Sequence, residues 1–214
     1  MEATIVSWCK IKNNTVWLNG DKIAIDEKSV DLPAFFVNLY KQLNLNYPKF
    51  FKMNNSCKLG VLAVEMAIRS NPEIADSEKE KVAILISNNS ASLETDRNHL
   101  KSITDKNNYF PSPAVFVYTL PNIIIGEIAI KHKFAGENAF FVTEIFDQKL
   151  LHNYVSIAFQ NNHTADVVCG WINVDGIEYE AFVYCVKKTN FNEERKGINL
   201  PHNSETIYQL YNTI

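Results

Sequence analysis

Four cysteines, five histidines and two carboxylates set in apolar surroundings are the side chains here that can attack, relay protons or hold a metal. A cysteine attacks as its thiolate and needs a histidine or cation to generate it. Cys9, Cys57, Cys169 and Cys185 are scattered, with no C-x-x-C pair, and each lies in an apolar or helical context rather than at zinc-ligand spacing. Cys169, in Val167-Val168-Cys169-Gly170, falls in a segment that reads as a buried strand, where cysteine packs as a small hydrophobe. His132 and His152 fall on expected helices, and His99, His163 and His202 in polar contexts. No H-x-x-x-H spacing or G-x-S-x-G elbow accompanies them, so they read as solvated or locally bonded. Glu65 and Glu127 interrupt apolar helices; each is a buried acid with a shifted pKa or, as most such residues are, part of a helix edge facing solvent. These residue types imply no metal and no cofactor.

The elements that must position them follow from period and punctuation. Ala3–Ile11 and Thr15–Leu18 read as strands, with Asn19-Gly20-Asp21 as turn chemistry before Ile23. Asp31 caps a helix with Pro33 in its first turn and Phe35, Phe36, Leu39 and Leu43 on one side. The spacing of Phe50, Phe51, Met53, Cys57, Val61, Val64 and Ile68 predicts one long helix from Pro48 to Ser70. The apolar run Lys81–Ser87 predicts a strand buried on both faces, hence a largely parallel, helix-covered sheet. A polar helix over Leu93–Ile103, a turn at Asn107–Phe110 and a helical segment Ser112–Lys131 interrupted at Pro121 come next. Asn138–Glu144 reads as a strand. The helix over Asp147–Gln160 is apolar nearly all round in its second half, which predicts burial on every side. Asp166–Val174 and Tyr179–Lys187 form two strands joined at Asp175-Gly176, and a last helix follows Ser204. The order is that of an α/β domain with an antiparallel edge.

With 214 residues, 46% hydrophobic and 21% charged, the chain can fold without disulfides or metal, and its composition fits neither disorder nor a membrane span. A net charge of −3 with three arginines argues against nucleic acid as a partner. No basic segment leads into an apolar run at the N-terminus, which points to a reducing cytoplasm and leaves the Asn-x-Ser/Thr triplets at Asn54, Asn88 and Asn162 without meaning. Adjacent asparagines such as Asn13-Asn14 and Asn88-Asn89 read as the composition of an AT-rich genome.

One ordered series of short motifs stands out. Lys49-Phe50-Phe51-Lys52-Met53 and Leu59-Gly60-Val61-Leu62-Ala63 precede Ser112-Pro113 with Phe116, then Leu120-Pro121-Asn122 with Gly126, Ala129-Ile130, and Gly136-Glu137-Asn138. This series resembles the N-terminal half of β-ketoacyl-acyl carrier protein synthases, condensing enzymes of the thiolase fold. In them Ser-Pro, Phe, Leu/Met-Pro-Asn, Ala-Gly, Ala-Ile and Gly-Pro-Asn lead through one strand into the nucleophile turn Thr-Ala-Cys-Ala. The resemblance covers nearly the whole chain and is most specific from Ser112 to Thr143. It implies one half of a thiolase-like fold, with a mixed five-stranded sheet and helices on both faces over residues 1–190, and a C-terminal tail or short helix over 191–214.

The departures from that pattern bear on function. Aligning Gly136-Glu137-Asn138 with Gly-Pro-Asn puts Thr143 on the family threonine, Glu144 beside the nucleophile and Ile145 on it. Isoleucine has no lone pair with which to accept an acyl chain. The family's catalytic histidines and lysine come from a C-terminal half for which a chain ending at Ile214, about half the family's length, has no room. Val142-Thr143-Glu144-Ile145 also resembles the chain-length-factor subunits of bacterial type II polyketide systems, where Glu-Gln replaces Ala-Cys; Glu144 fits and Ile145 does not.

In the resembled family the strand matching Asn138–Thr143 pairs across a dimer two-fold, which makes Ala139, Phe140, Phe141 and Val142 the expected contact set. The implied function is a non-catalytic subunit that dimerises with itself or with a catalytic ketosynthase, with acyl carrier protein as a further partner, in bacterial fatty-acid, polyketide or polyene assembly. The rival expectation is a stand-alone acyl-thioester-binding protein, or a small acyl-transfer or thioesterase enzyme using the vestigial cleft.

Overall fold

In a computed structural model that describes residues 3–25, 31–107, 109–161, 163–188 and 198–213, the chain opens with the expected strand and hairpin. β1 (Ala3–Lys12) turns into β2 (Thr15–Leu18) through Asn13 and Asn14, both at positive φ (51° and 53°), and β3 (Asp21–Ile23) pairs back on β2. Asparagine tolerates this left-handed conformation better than most side chains, so the Asn13-Asn14 pair has a structural role that composition alone did not reveal. α1 (Leu32–Gln42) starts where Asp31 Oδ1 accepts from the Ala34 N–H at 2.8 Å.

The expected helix over Pro48–Ser70 is two elements. A 3₁₀ turn covers Pro48–Lys52, Met53 is extended (ψ 154°), and α2 (Asn55–Arg69) begins afresh where Asn54 Oδ1 accepts from the Cys57 N–H. The asparagine cap competes with helical continuation at that point. α3 (Pro72–Asp76), β4 (Val82–Asn88), α4 (Leu93–Thr104), α5 (Pro113–Val117), α6 (Ile123–His132) and β5 (Asn138–Val142) follow. Then come α7 (Gln148–Gln160), the hairpin β6 (Asp166–Asp175) and β7 (Glu178–Lys188), β8 (Leu200–Pro201) and α8 (Ser204–Asn212).

The strands form one mixed sheet of eight, ordered β3-β2-β1-β7-β6-β4-β5, with β8 lying beside the start of β1. This replaces the five strands expected. Among the described residues the parallel pairings are β4 with β5 and β4 with β6; the other pairings are antiparallel, so the sheet is not largely parallel. The long hairpin β6–β7 and its partner β1 supply most of the width, and tight turns make antiparallel neighbours of strands close in sequence.

Alternation along the strands divides the interior into two cores. Val82, Ile84, Ile86, Val168, Val183 and Cys185 face α1, α2 and α6; Ala83, Leu85, Val167, Trp171, Phe182 and Tyr184 face α7 and α8. The helix buried on every side is α2, enclosed without a break from Leu59 to Ile68, and not α7. α7 buries Leu151, Val155, Ala158 and Phe159, one face at helical spacing, and leaves Tyr154 and Ile157 in solvent. Phe51, placed on the buried face in the sequence reading, is exposed because it belongs to the 3₁₀ turn outside α2. Among the described residues no helix is long and apolar enough to cross a membrane.

Candidate functional site

β5 delivers its chain to a turn at the C-terminal end of the β4–β5 pair. The Thr143 N–H donates to the Asn88 carbonyl at 2.9 Å, and the Thr143 hydroxyl donates to the Ile145 carbonyl at 2.9 Å. Asp147 then caps α7, its Oδ1 accepting from the N–H groups of Lys149 and Leu150. This holds Thr143, Glu144 and Ile145 in an open depression with the Ile145 side chain 72% exposed. Behind the turn the interior is filled: Phe146 stacks on Tyr211 (ring centroids 4.2 Å) and lies edge-on to Phe182 (5.6 Å) and Trp171 (6.2 Å). A hydrocarbon side chain at the exposed position can pack but cannot attack.

All four thiols lie elsewhere and are buried. Burial pushes Cys169 and Cys185 up to about 12, and pushes Cys9 and Cys57 up as well. A thiol in that range is protonated at neutral pH and inert, as the sequence reading of packing cysteines has it. Cys169 Sγ lies 3.3 Å from the Tyr184 hydroxyl, deep in the core beneath α7. Among the described residues no group of three or more His, Cys, Asp or Glu side chains is placed to hold a metal ion.

The carboxylates are where the structure departs most from expectation. Glu65 and Glu127 do not face solvent; both are buried. Burial opposes ionisation of Glu65, but the Lys131 ammonium that donates to it, with His132 and Arg69, outweighs that cost and holds the carboxyl below its ordinary range. Glu127 accepts from the Tyr118 hydroxyl at 3.0 Å and pairs with Lys49 Nζ at 2.8 Å. Burial and this hydrogen bond push the Tyr118 phenol upward. The two acids thus tie α2, α6 and the Pro48–Lys52 turn together as buried ion pairs. Helical i,i+4 spacing accounts for the Glu65–Arg69 pair, but no spacing rule predicts Lys131 and Lys49, which come from separate elements.

Tyr118 also lines a cleft of about 250 Å³ bounded by Met53, Asn55, Glu94 and Val115. His132, largely enclosed and stacked on Phe134, and His202, buried against His152, are not solvated; burial lowers them to about 4 and about 3. For His202 the sequence misleads, since its polar neighbours belong to a cap and its ring does not.

The short motifs divide into structural devices and surface. Ser112 Oγ caps α5, accepting from the Val115 N–H, with Pro113 in the first turn. Pro121 and Asn122 separate α5 from α6. At Gly136 a Cβ would sit 2.4 Å from the Val82 carbonyl oxygen, so the chain can pass β4 there only without a side chain. Gly126 has open space around it. Phe116 is exposed, its ring 5.4 Å from that of His99. Asn138 opens β5 at the surface.

β5 is an edge strand, hydrogen-bonded to β4 on one side and to no other described strand. Phe140 turns toward the first core and Ala139 and Phe141 toward the second, where the Phe141 and Tyr154 rings meet at 4.4 Å. Beside that edge Val142, Ile145 and Ile157 are more than half exposed. A second exposed apolar group, Leu100, Tyr109, Phe110, Phe116 and Leu120, surrounds α4 and α5; Ser92 Oγ ties it to the same end of β4 by donating to the Thr119 carbonyl. The sequence reading took Tyr109 and Phe110 only as part of a turn.

No protein-family model matches the chain, and no curated protein matches it. Solved structures do. The ishigamide ketosynthase/chain length factor superposes with a TM-score of 0.66 at 11% identity, over 91% of this chain and 64% of that one. The AntDE:AntF assembly, a type II PKS acyl-carrier protein in complex with its ketosynthase, gives 0.62 at 14% identity over 87% and 62%. A ketosynthase in complex with its chain length factor from Xenorhabdus doucetiae gives 0.57 at 11% identity over 98% and 91%. The chain therefore spans less than two thirds of the first two structures and nearly all of the third. One sheet with helices on both faces, entered through these motifs and shared with these structures, gives this chain the thiolase-like fold of ketosynthases and chain length factors.

Proposed function

We propose that the protein is a non-catalytic ketosynthase-like subunit that works by pairing along β5, with a second copy or with a catalytic ketosynthase, in carrier-protein-dependent polyketide or fatty-acid assembly. The observation that carries this reading is the junction of β5 and α7. The strand that presents an open, aromatic edge runs directly into a turn that exposes Glu144 and Ile145, with isoleucine at the position the family motif gives to the nucleophile. A chain selected for attack on a thioester would need an ionisable group there. One selected for association needs the edge and the apolar surface beside it.

Two further observations support it. The sheet's opposite edge, β3, is three residues long and carries Asp21 and Lys22, the usual protection against strand pairing. β5 has no charged residue and no proline. The structures that share the fold are described as complexes of ketosynthases with chain length factor or acyl-carrier protein, which makes these the partners to test first. The small-enzyme alternative finds its thiols buried and protonated and the space behind the turn occupied by Phe146 and Tyr211.

Co-expression with candidate ketosynthases followed by co-purification and sedimentation tests the proposal. A stable dimer, or a stoichiometric complex, is expected. A monodisperse monomer that binds no ketosynthase overturns it, and so does thioesterase or acyltransferase turnover that persists in a dimerisation-deficient variant.

A further inference from the structure

The C-terminal segment is fastened to the body by strand pairing, by aromatic packing and by the Tyr211 hydroxyl donating to Glu180, around one buried histidine contact. β8 contributes two residues to the sheet, Leu200 and Pro201, opposite Ile5 and Thr4, and Pro201 has no N–H to give. The His202 N–H donates to the Ala3 carbonyl at 2.9 Å, and Asn203 then caps α8 by accepting from the Thr206 N–H at 2.8 Å. α8 buries Ile207 in the second core and lays Tyr211 across Phe146 and Phe182. His202 sits at the pivot between strand and cap. The residue is 7% exposed, its ring 5.0 Å from that of His152 on α7 and 5.9 Å from that of Tyr184 on β7.

His202 Nε2 and His152 Nδ1 are both buried with no hydrogen-bond partner. Of the groups facing them, Tyr184 on β7 is engaged with Cys169 of β6, and β1 presents the Ala3 backbone. Nearby charges are occupied elsewhere: Glu205 of α8 is exposed and accepts from Gln209, and Lys188 of β7 donates to the Phe159 carbonyl. Among the described residues no carboxylate pairs with either ring. The His202 ring, enclosed against a second imidazole and without a counter-charge, fits this site only while neutral.

We propose that the His152–His202 contact makes the β8–α8 segment an acid-released strap. When His202 takes up a proton the segment leaves α7 and the sheet, uncovering Phe146 and Phe182 behind the 143–147 turn, while α2 and the central strands stay folded. Burial first, and the neighbouring His152 second, hold His202 down to about 3, against an ordinary value of 6.5. The released segment binds the proton in that window and the closed one does not. Each pH unit below 6.5 therefore favours release about tenfold, or about 100-fold at pH 4.5. The inference does not depend on the pairing partner of β5.

Amide hydrogen exchange on the full chain at pH 7.0 and 4.5, corrected for intrinsic rates, tests it. Protection over Ser204–Asn212 is expected to fall about 100-fold at pH 4.5 while Asn55–Arg69 stays folded and remains the more protected of the two. His202→Asn and His202→Leu, neither able to titrate, are expected to remove that loss. A histidine ring-carbon NMR titration of the wild type supplies a readout independent of the variants. His202 is expected to titrate together with strap opening, between pH 3 and 6.5. The proposal fails if strap protection is unchanged at pH 4.5, if α2 is lost at the same pH, or if His202 titrates near 6.5 with the strap closed. It also fails if variants protected at pH 7.0 still lose the strap at pH 4.5.

Discussion

Replacing Phe141 by aspartate separates what the β5 edge contributes to folding from what it contributes to association. In the isolated chain the ring is half-buried and contacts Tyr154 at 4.4 Å, an aromatic pair worth about 0.5–1.5 kcal/mol. Losing it lowers the melting temperature by about 2–5 °C for a domain of this size. In a complex paired along β5 the same position becomes fully enclosed, and a carboxylate there meets apolar surface with no counter-charge. Truncation of a central aromatic anchor typically costs about 2–4 kcal/mol, which weakens the dissociation constant about 30- to 1,000-fold. The assay is sedimentation at micromolar concentration, alone and with the co-purifying ketosynthase, beside a melting curve. Ile177→Asp is the control, because Ile177 is 92% exposed at the tip of the β6–β7 hairpin, away from β5. Association lost in Phe141→Asp and kept in Ile177→Asp is the expected result. Equal association in wild type and Phe141→Asp, with the melting shift present, would refute the assignment of β5 as the interface.

Other outcomes follow from single sites. Ala91 has φ 49°, a left-handed conformation that costs a residue bearing a Cβ about 1 kcal/mol, so Ala91→Gly is expected to raise the melting temperature by about 2–4 °C. An aromatic disulfide reagent is expected to modify none of the four cysteines in the native protein at pH 8 and all four in denaturant; rapid native modification of Cys169 would reopen the enzyme reading. His132 is lowered to about 4 chiefly by burial, with Lys131 adding to it. Its neutral form is the folded one, so its contribution is present above pH 6.5 and lost as pH falls from 6.5 toward 4, about 2–3 kcal/mol of stability by pH 4.5. Urea titrations at pH 7 and 4.5 should show that loss in wild type and a smaller one in His132→Gln.

How far the sequence could be read depended on whether a feature was local. Asp31 before Pro33, Asp147 before α7 and the Asp175-Gly176 turn each act within a few residues, and each element lies where its cap or turn puts it. Asn54 is equally local, but the apolar period running through Pro48–Ser70 masked it, and the cap ended the continuity. Burial of Glu65 and Glu127 was illegible because their partners Lys131 and Lys49 lie 66 and 78 residues away, and only the packing of α6 and the 3₁₀ turn on α2 brings them together. α7 was misjudged for a related reason. Tyr154 and Ile157 are as apolar as the residues that pack, and nothing in a single helix records that no described element lies over its far side.

The bare side of α7 bears on function. An all-round apolar helix at the end of an open aromatic strand was expected to be buried, and within this chain it is buried on one side only. α8 covers the flank of α7 that carries His152, and Phe141 covers Tyr154 in part; Ile157, Val142 and Ile145 remain bare around the β5 edge. Residues left apolar on a surface where β3 shows that charge was available are difficult to explain by folding of the isolated chain, because charges there would cost the core nothing. In a complex they become the residues that exclude water around a paired strand. On the proposed reading Ile145 belongs to the same apolar surface as Val142 and Ile157, so one side chain both leaves the turn without a nucleophile at that position and adds apolar contact area.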